Sequence, residues 1–184
     1  MRLFFALPLP HELLEVVSTV TGRLKERYPG VTVPRTEGLH ITLHFFGERE
    51  DKEAEELKKV LLAPEVTLPA VEARFSEVGA FPPGGPPRVI FADIGEGRRT
   101  IISLQEILSG ALTRAGLAVP DEKRPYHPHL TLGRVKYGSV DRTFLKGLAL
   151  PLEPFTVTRC ILFQSLLQRE GAVYRPVAER RLEA

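Results

Sequence analysis

Asparagine and tryptophan are absent from this 184-residue chain, and methionine and cysteine occur once each. The lone Cys160 has no partner for an intrachain disulfide and excludes a cysteine-rich zinc site, which fits a reducing, cytoplasmic setting. No apolar run approaches the roughly 18 residues of a membrane span. Residues 1–10 are apolar but lack a charged lead-in, a long apolar stretch and a small-residue cleavage site, so they read as a strand, not a secretory leader. Long blocks of one charge sign are missing too. The net charge of +2 permits a phosphate-bearing partner but gives no basic stripe of the kind a duplex binder carries. Scarcity of thermolabile residues, set beside 16 prolines and a charged fraction of 26%, resembles a thermophile's usage and has no bearing on activity.

What is present is one four-residue pattern in two copies, His40-Ile41-Thr42-Leu43 and His129-Leu130-Thr131-Leu132. Strand side chains alternate between faces, so each His and its Thr project from the same side of a strand. Two such strands facing one cleft offer two proton-transfer groups and two hydroxyl donors. That set suits in-line attack on a phosphodiester, where one group activates the nucleophile and another protonates the leaving oxygen.

The surrounding periodicities predict an α+β protein. A buried strand over 2–7 is followed by a helix over 11–28, a strand over 39–46, a helix over 51–62 and a long strand over 66–78. After the Pro/Gly-rich segment 81–87 the order resumes, with a strand over 88–94, a helix over 99–115 and a strand over 129–135. A short helix over 141–148 and strands over 155–167 and 172–181 complete it, the last two joined as a hairpin at 168–171. Arg2-Leu3-Phe4-Phe5-Ala6 matches Arg88-Val89-Ile90-Phe91-Ala92, 86 residues on, and His40 and His129 lie 89 apart. An offset drifting by three residues implies duplication of a β-α-β-β-α-β-like unit. The expected body is a single bilobal domain over 1–184, with a first repeat over about 1–80 and a second over about 88–184. Two antiparallel sheets would lie about a pseudo-two-fold axis with a central cleft, and 81–87 would be the crossover.

Five histidines occur, and His11, at the start of a helix, reads as a surface residue. A single strand His is more often a hydrogen-bonded structural group than a catalyst. Two copies in step with Thr are another matter, since packing alone gives no reason to keep them so. By strand parity His44 borders the same cleft as His40, and His127 shares parity with His129 although Pro128 disturbs the strand start. A three-His zinc site is physically reasonable. It lacks a neighbouring carboxylate to orient the rings, and the paired Thr residues have no ligand role, so no metal and no cofactor are expected. The Thr hydroxyls would donate to phosphoryl oxygens, although Thr is also simply a good strand former. Arg134 has the wrong strand parity and reaches the cleft only if the strand twists or ends near Gly133. Arg124 is another phosphate-contact candidate, and Tyr126 could stack on a base.

Taken with their flanks, these motifs resemble the two-histidine (2H) phosphoesterases, and more narrowly the RNA 2′,3′-cyclic phosphodiesterases, long called 2′-5′ RNA ligases. The resemblance rests on 2–6, on His40-Ile41-Thr42-Leu43 with Phe45-Phe46-Gly47, and on 124–132 followed by Arg134. It extends to a terminal hairpin carrying Ser165, Gly171 and Tyr174. The resemblance implies metal-independent opening of RNA 2′,3′-cyclic phosphate ends to 2′-phosphomonoesters, with reversible 2′-5′ joining. It implies His40 and His129 as acid and base, Thr42 and Thr131 on phosphoryl oxygens, and Arg134 as the basic residue after the second motif. The expected assignment is His40 as acid and His129 as base. The expected partner is RNA with cyclic ends, and a monomer with no membrane association is expected. A phosphodiesterase for small cyclic phosphates and a non-catalytic RNA-end-binding module stay open as alternatives.

Overall fold

The computed structural model describes residues 1–118, 125–168 and 171–183. Ten strands and four helices follow one another in these segments: β1 (Arg2–Pro8), α1 (His11–Arg27), β2 (Val31–Thr32), β3 (His40–Glu48), α2 (Asp51–Leu62), β4 (Val71–Ala73), β5 (Phe75–Phe81), β6 (Val89–Ile94), α3 (Arg98–Arg114), β7 (His129–Val135), α4 (Arg142–Lys146), β8 (Phe155–Val157), β9 (Arg159–Gln168) and β10 (Gly171–Arg181). Physical signals in the sequence account for the helix boundaries. Glu50 and Glu53 form a reciprocal capping box at the start of α2. Lys25 and Arg27 in the last turn of α1 complement its negative end, while Leu13, Val17, Val20 and Leu24 bury one face.

The strands form one large antiparallel sheet in the order β10-β9-β1-β3-β7-β6-β5, with β2 beside β7, and a small sheet of β4 and β8. The two expected lobe sheets are its halves. They are joined by a single residue pair, Ile41 with Leu130, between the two His-x-Thr strands. Strand pairing also changes how the repeats connect. β5, from the first repeat, pairs with β6, whereas β9, from the second, pairs with β1. The first repeat therefore gives its last strand to the other lobe, and the second its last two.

The segment 81–87 is consequently not the crossover between lobes but part of the hairpin connection from β5 to β6. Crossing occurs where β4 meets β8, Val71 opposite Val157. This also explains why the long strands expected over 66–78 and 155–167 are each broken. One part of each serves the small sheet and the next part serves the opposite lobe. The brief β2 had no sequence signal, being only two residues long.

The core lies between the large sheet and the helices. Leu3, Phe5 and Leu7 of β1, Ile41 and Leu43 of β3, and Leu130 and Leu132 of β7 join it with Leu104 and Leu108 of α3. Phe4 lies on the opposite face of β1, against the rings of His40, Phe163 and Tyr174. Phe91 of β6 stands in the same relation to His129. The face away from the helical core is thus the one that carries His40 and His129.

Gly133 allows β2 to approach β7 there. A Cβ at this position would fall 2.6 Å from Val31 Cγ1 and 3.1 Å from Leu24 Cδ2. Overpacking at such a site costs about 1–3 kcal/mol. Gly133→Ala is expected to lower the urea midpoint accordingly with an unchanged m-value. An unmoved midpoint would mean that β2 gives way freely.

Candidate active site

Both His-x-Thr strands carry a bulge at the same place. In β3 the partner register skips Leu43, passing from Thr42 opposite Ala6 to His44 opposite Phe5. In β7 it skips Leu132, passing from Thr131 opposite Phe91 to Gly133 opposite Ile90. A bulge puts two successive residues on one face and reverses the parity beyond it. Two sequence expectations change as a result. His44 does not border the cleft: it is fully buried, and its Nε2 lies 3.0 Å from Ser109 Oγ and 3.1 Å from the Gln105 carbonyl of α3. Arg134, with the wrong parity for an unbroken strand, is turned into the cleft wall. Phe45 occupies the matching place after the first bulge and is 43% exposed in the same wall.

The antiparallel register set by Ile41 and Leu130 puts His40 across from Thr131 and Thr42 across from His129. Each imidazole is fixed from behind in the same way. His40 Nδ1 lies 2.6 Å from the Gly38 carbonyl, and His129 Nδ1 lies 2.7 Å from the His127 carbonyl. A carbonyl can only accept, so in each ring Nδ1 carries the hydrogen and Nε2 is left for chemistry. His40 Nε2 lies 3.0 Å from Thr42 Oγ1. With His40 neutral, the Thr42 hydroxyl donates to that nitrogen. With His40 protonated, the hydroxyl hydrogen is released to donate elsewhere.

Burial is the main influence on both rings. It lowers the His40 pKa to about 4, with the Gly38 hydrogen bond opposing and the charges of His129 and Arg134 adding. Burial lowers that of His129 as well; the His127 carbonyl and the Asp93 charge oppose it, while His127 and Arg134 add to it.

The cavity in front has a volume of about 830 Å³. His40, Thr42, Thr131 and Arg134 contribute to its wall, together with Arg2, Phe4, Lys136, Ser165 and Tyr174. His129 and Tyr126 are not part of that wall. His129 stands beside it on β7, half-buried between the rings of Phe81 and Phe91. Tyr126, expected as a base-stacking ring, leans on the core and donates its hydroxyl to the Thr42 carbonyl at 2.7 Å, bracing the first motif from the second. Arg124 lies outside the described residues.

Sequence reasoning did not place Arg2, Lys136 or Tyr174 at the site. Arg2 was legible only as a mark of duplication, yet its guanidinium sits 4.9 Å over the Phe45 ring. Tyr174 meets the His40 ring edge-on at 5.0 Å, and its hydroxyl pKa is raised by burial against the opposing charges of Arg134 and Arg2. It packs so closely over Gly38 that a Cβ there would lie 3.0 Å from its ring. Among the described residues no group of three or more His, Cys, Asp or Glu is arranged to hold a metal ion, and no helix is long and apolar enough to cross a membrane.

A family model described as the 2′-5′ RNA ligase superfamily matches residues 12–168, and the chain belongs to that superfamily. Its relatives narrow the comparison. An RNA 2′,3′-cyclic phosphodiesterase of Archaeoglobus fulgidus is 32% identical over 185 residues, spanning 95% of this chain and 97% of the relative. The protein of that name from Methanocaldococcus jannaschii is 27% identical over 183 residues, 97% and 99% of the two chains. A crystal structure of a Thermus thermophilus protein superposes with a TM-score of 0.83 at 26% identity, covering 99% of this chain and 98% of that one. LigT of E. coli complexed with 3′-AMP gives 0.74 at 25% identity over 100% and 98%.

Proposed function

We propose that the chain is an RNA 2′,3′-cyclic phosphodiesterase. It acts as a cytoplasmic monomer without a metal, opening cyclic ends to 2′-phosphomonoesters and, on suitable ends, joining them 2′-5′ in a reversible step in which an RNA 5′-hydroxyl replaces water as the attacking group. The observation that carries this reading is the pair of imidazoles, each pinned at Nδ1 by a carbonyl two residues upstream, with a Thr hydroxyl across from each. In the forward step His129 Nε2 takes a proton as water oxygen bonds to phosphorus. The bond from phosphorus to the 3′ oxygen breaks, and protonated His40 supplies the proton to that oxygen. Thr42, Thr131 and Arg134 donate to the non-bridging oxygens, where charge is concentrated. Burial disfavours the charged His40 of the free enzyme, and the anionic phosphate offsets that cost when it docks.

The cavity favours an RNA end over a small cyclic phosphate. Among the described residues its wall holds three cations, Arg2, Arg134 and Lys136, and no carboxylate. A cyclic phosphodiester carries one negative charge, so the remaining cations suit the phosphodiesters of a longer strand. The test is hydrolysis in EDTA of a cyclic-ended oligonucleotide beside the matching cyclic mononucleotide. Faster turnover of the oligonucleotide to a 2′-phosphate is expected. A 3′-phosphate product, or loss of activity in EDTA, would overturn the mechanism. Preference for the mononucleotide would point to a small metabolite, and tight binding without product to an end-binding module.

The pH profile follows from the same burial. One imidazole must be protonated and the other neutral, so kcat/KM is a bell whose two limbs belong to the pair. Both rings are lowered from the ordinary value of 6.5, His40 to about 4. Activity is expected to fall below the lower limb as the base becomes protonated, and above the upper limb as the acid loses its proton. The optimum therefore lies on the acid side of 6.5. An optimum well above neutrality would contradict the desolvated site.

A further inference from the structure

The two histidines share a tautomer and differ in what stands behind them. Two positions upstream of His40 is Gly38, with no side chain. The equivalent residue before His129 is His127, and its side chain joins a polar network. His127 Nε2 lies 2.9 Å from Asp93 Oδ1, within ion-pair distance but without hydrogen-bond geometry. Arg98, at the start of α3, donates to Asp93 Oδ2 at 2.6 Å and sets Nη1 3.5 Å from His127 Nδ1. Asp93 is also the strand partner of His129, whereas the residue paired with His40 in the other lobe is Pro8. The rings of Phe81 and Phe91 stack at 4.3 Å and meet both imidazoles at 5.4 to 5.5 Å.

We propose that Arg98, Asp93 and His127 form a positioning relay behind His129, which aims its Nε2 lone pair at the cleft and stabilises the imidazolium formed when it takes the proton of the attacking water. The relay makes two matched histidines act unequally, and it rests on the reading of His129 as proton acceptor. Its first part is geometric. Asp93 and Arg98 enclose the His127 side chain at close contact, short of a hydrogen bond to its Nε2, and so hold in place the residue whose backbone carbonyl keeps His129 Nδ1 at 2.7 Å. Its second part is electrostatic. The Asp93 carboxylate, strand partner of His129, favours the charged ring, an influence smaller than burial and shared with the Arg98 guanidinium that pairs with it. A carboxylate behind an imidazole is a general device for holding a tautomer and favouring the charged ring.

The charged and titratable groups around His129 among the described residues are few. His127, just before β7, and Arg134, on β7, disfavour its charge, and Asp93 comes from β6 and favours it. Arg98 stands behind Asp93, and His40 interacts from β3. Asp93 is thus the single neighbour whose charge supports the imidazolium. Removing it should affect His129 and largely spare His40.

The test uses the full-length protein with ¹⁵N-labelled histidine, titrated by NMR without substrate, as wild type, Asp93→Asn, Asp93→Glu and His127→Gln. In Asp93→Asn the His129 midpoint is expected to move to lower pH while that of His40 moves less, and Asp93→Glu restores part of the shift. With a cyclic-ended oligonucleotide, kcat at pH 7 should fall about 10-fold in Asp93→Asn, the scale for groups that orient an imidazole from behind. Should Asp93→Asn fail to fold, His127→Gln reads the same relay through a mixed Nδ1/Nε2 tautomer at His129. A His129 midpoint that stays put in Asp93→Asn, a His40 midpoint that moves equally, or an unchanged tautomer in His127→Gln would each overturn the relay. Failure of the wild type to turn over cyclic-ended RNA would count against the function alone, because the titration needs no substrate.

Discussion

Replacing His129 by alanine is expected to lower kcat/KM on a cyclic-ended oligonucleotide by about 10²- to 10⁴-fold, the range for a positioned proton-transfer group. His40→Ala should fall in the same range, and the double variant should be little worse than either single one. The two groups act on one proton inventory, so losing either removes the concerted step. Neither substitution should unfold the protein, because both rings are half-buried on the cleft face and lie outside the apolar cluster of the core. The measurement is a rate on defined RNA alongside a melting curve. Turnover retained in either single variant, with an intact melt, would dismiss the two-histidine mechanism. The pH profiles carry a second signature. Each single variant should lose one limb of the bell and keep the other, since only one titrating imidazole remains in the site.

Much of this site was readable before any fold was known, and for a physical reason. Repeated motifs 89 residues apart impose the same strand face twice, so His40, Thr42, His129 and Thr131 could be placed by parity alone. What parity could not show was the bulge after each motif. An extra residue reverses the faces that follow it, which sent His44 into the core and brought Arg134 out, and in β3 a second register shift at Phe46 comes soon after. The signal was present but faint. Gly133 follows the second motif where a Cβ would strike Val31, although no glycine marks the first bulge at Leu43.

Exchange of the last strands was also hidden, because periodicity identifies a strand without naming its neighbour. The segment 66–78 alternates well enough for one strand, and only the pairing of Val71 with Val157 and of Phe75 with Ile94 shows that it serves two sheets. Tyr174 reached the site for the same reason. It lies on β10, which pairs with β9, and β9 crosses from the second repeat to pair with β1 in the first lobe.

Arg134→Ala is expected to reduce kcat by about 10²- to 10³-fold, the scale for removing one donor to an oxygen that gains charge in the transition state. The bulges give the physical reason for singling it out. Arg134 and Phe45 occupy equivalent positions, each three residues past the motif threonine, and the strands run in opposite directions from the Ile41–Leu130 pair. Pseudo-symmetry therefore presents a cation at one end of the His-Thr quartet and an aromatic ring, with Arg2 over it, at the other. A phosphoryl group between two matched histidines could bind in either sense, and the unequal ends add to what gives it a direction. Arg134→Lys should recover part of the rate through charge while losing the planar two-point grip of a guanidinium on phosphate. Phe45→Ala should act mainly on KM, since stacking on a base is nearly the same in ground and transition states. Steady-state kinetics on one oligonucleotide separate the two. A loss confined to KM in Arg134→Ala would reduce that residue to a docking contact, and a loss confined to kcat in Phe45→Ala would move the ring into the chemistry. The expected opposite pattern makes one lobe the phosphate side of the reaction and the other its base side, although the two carry the same motif.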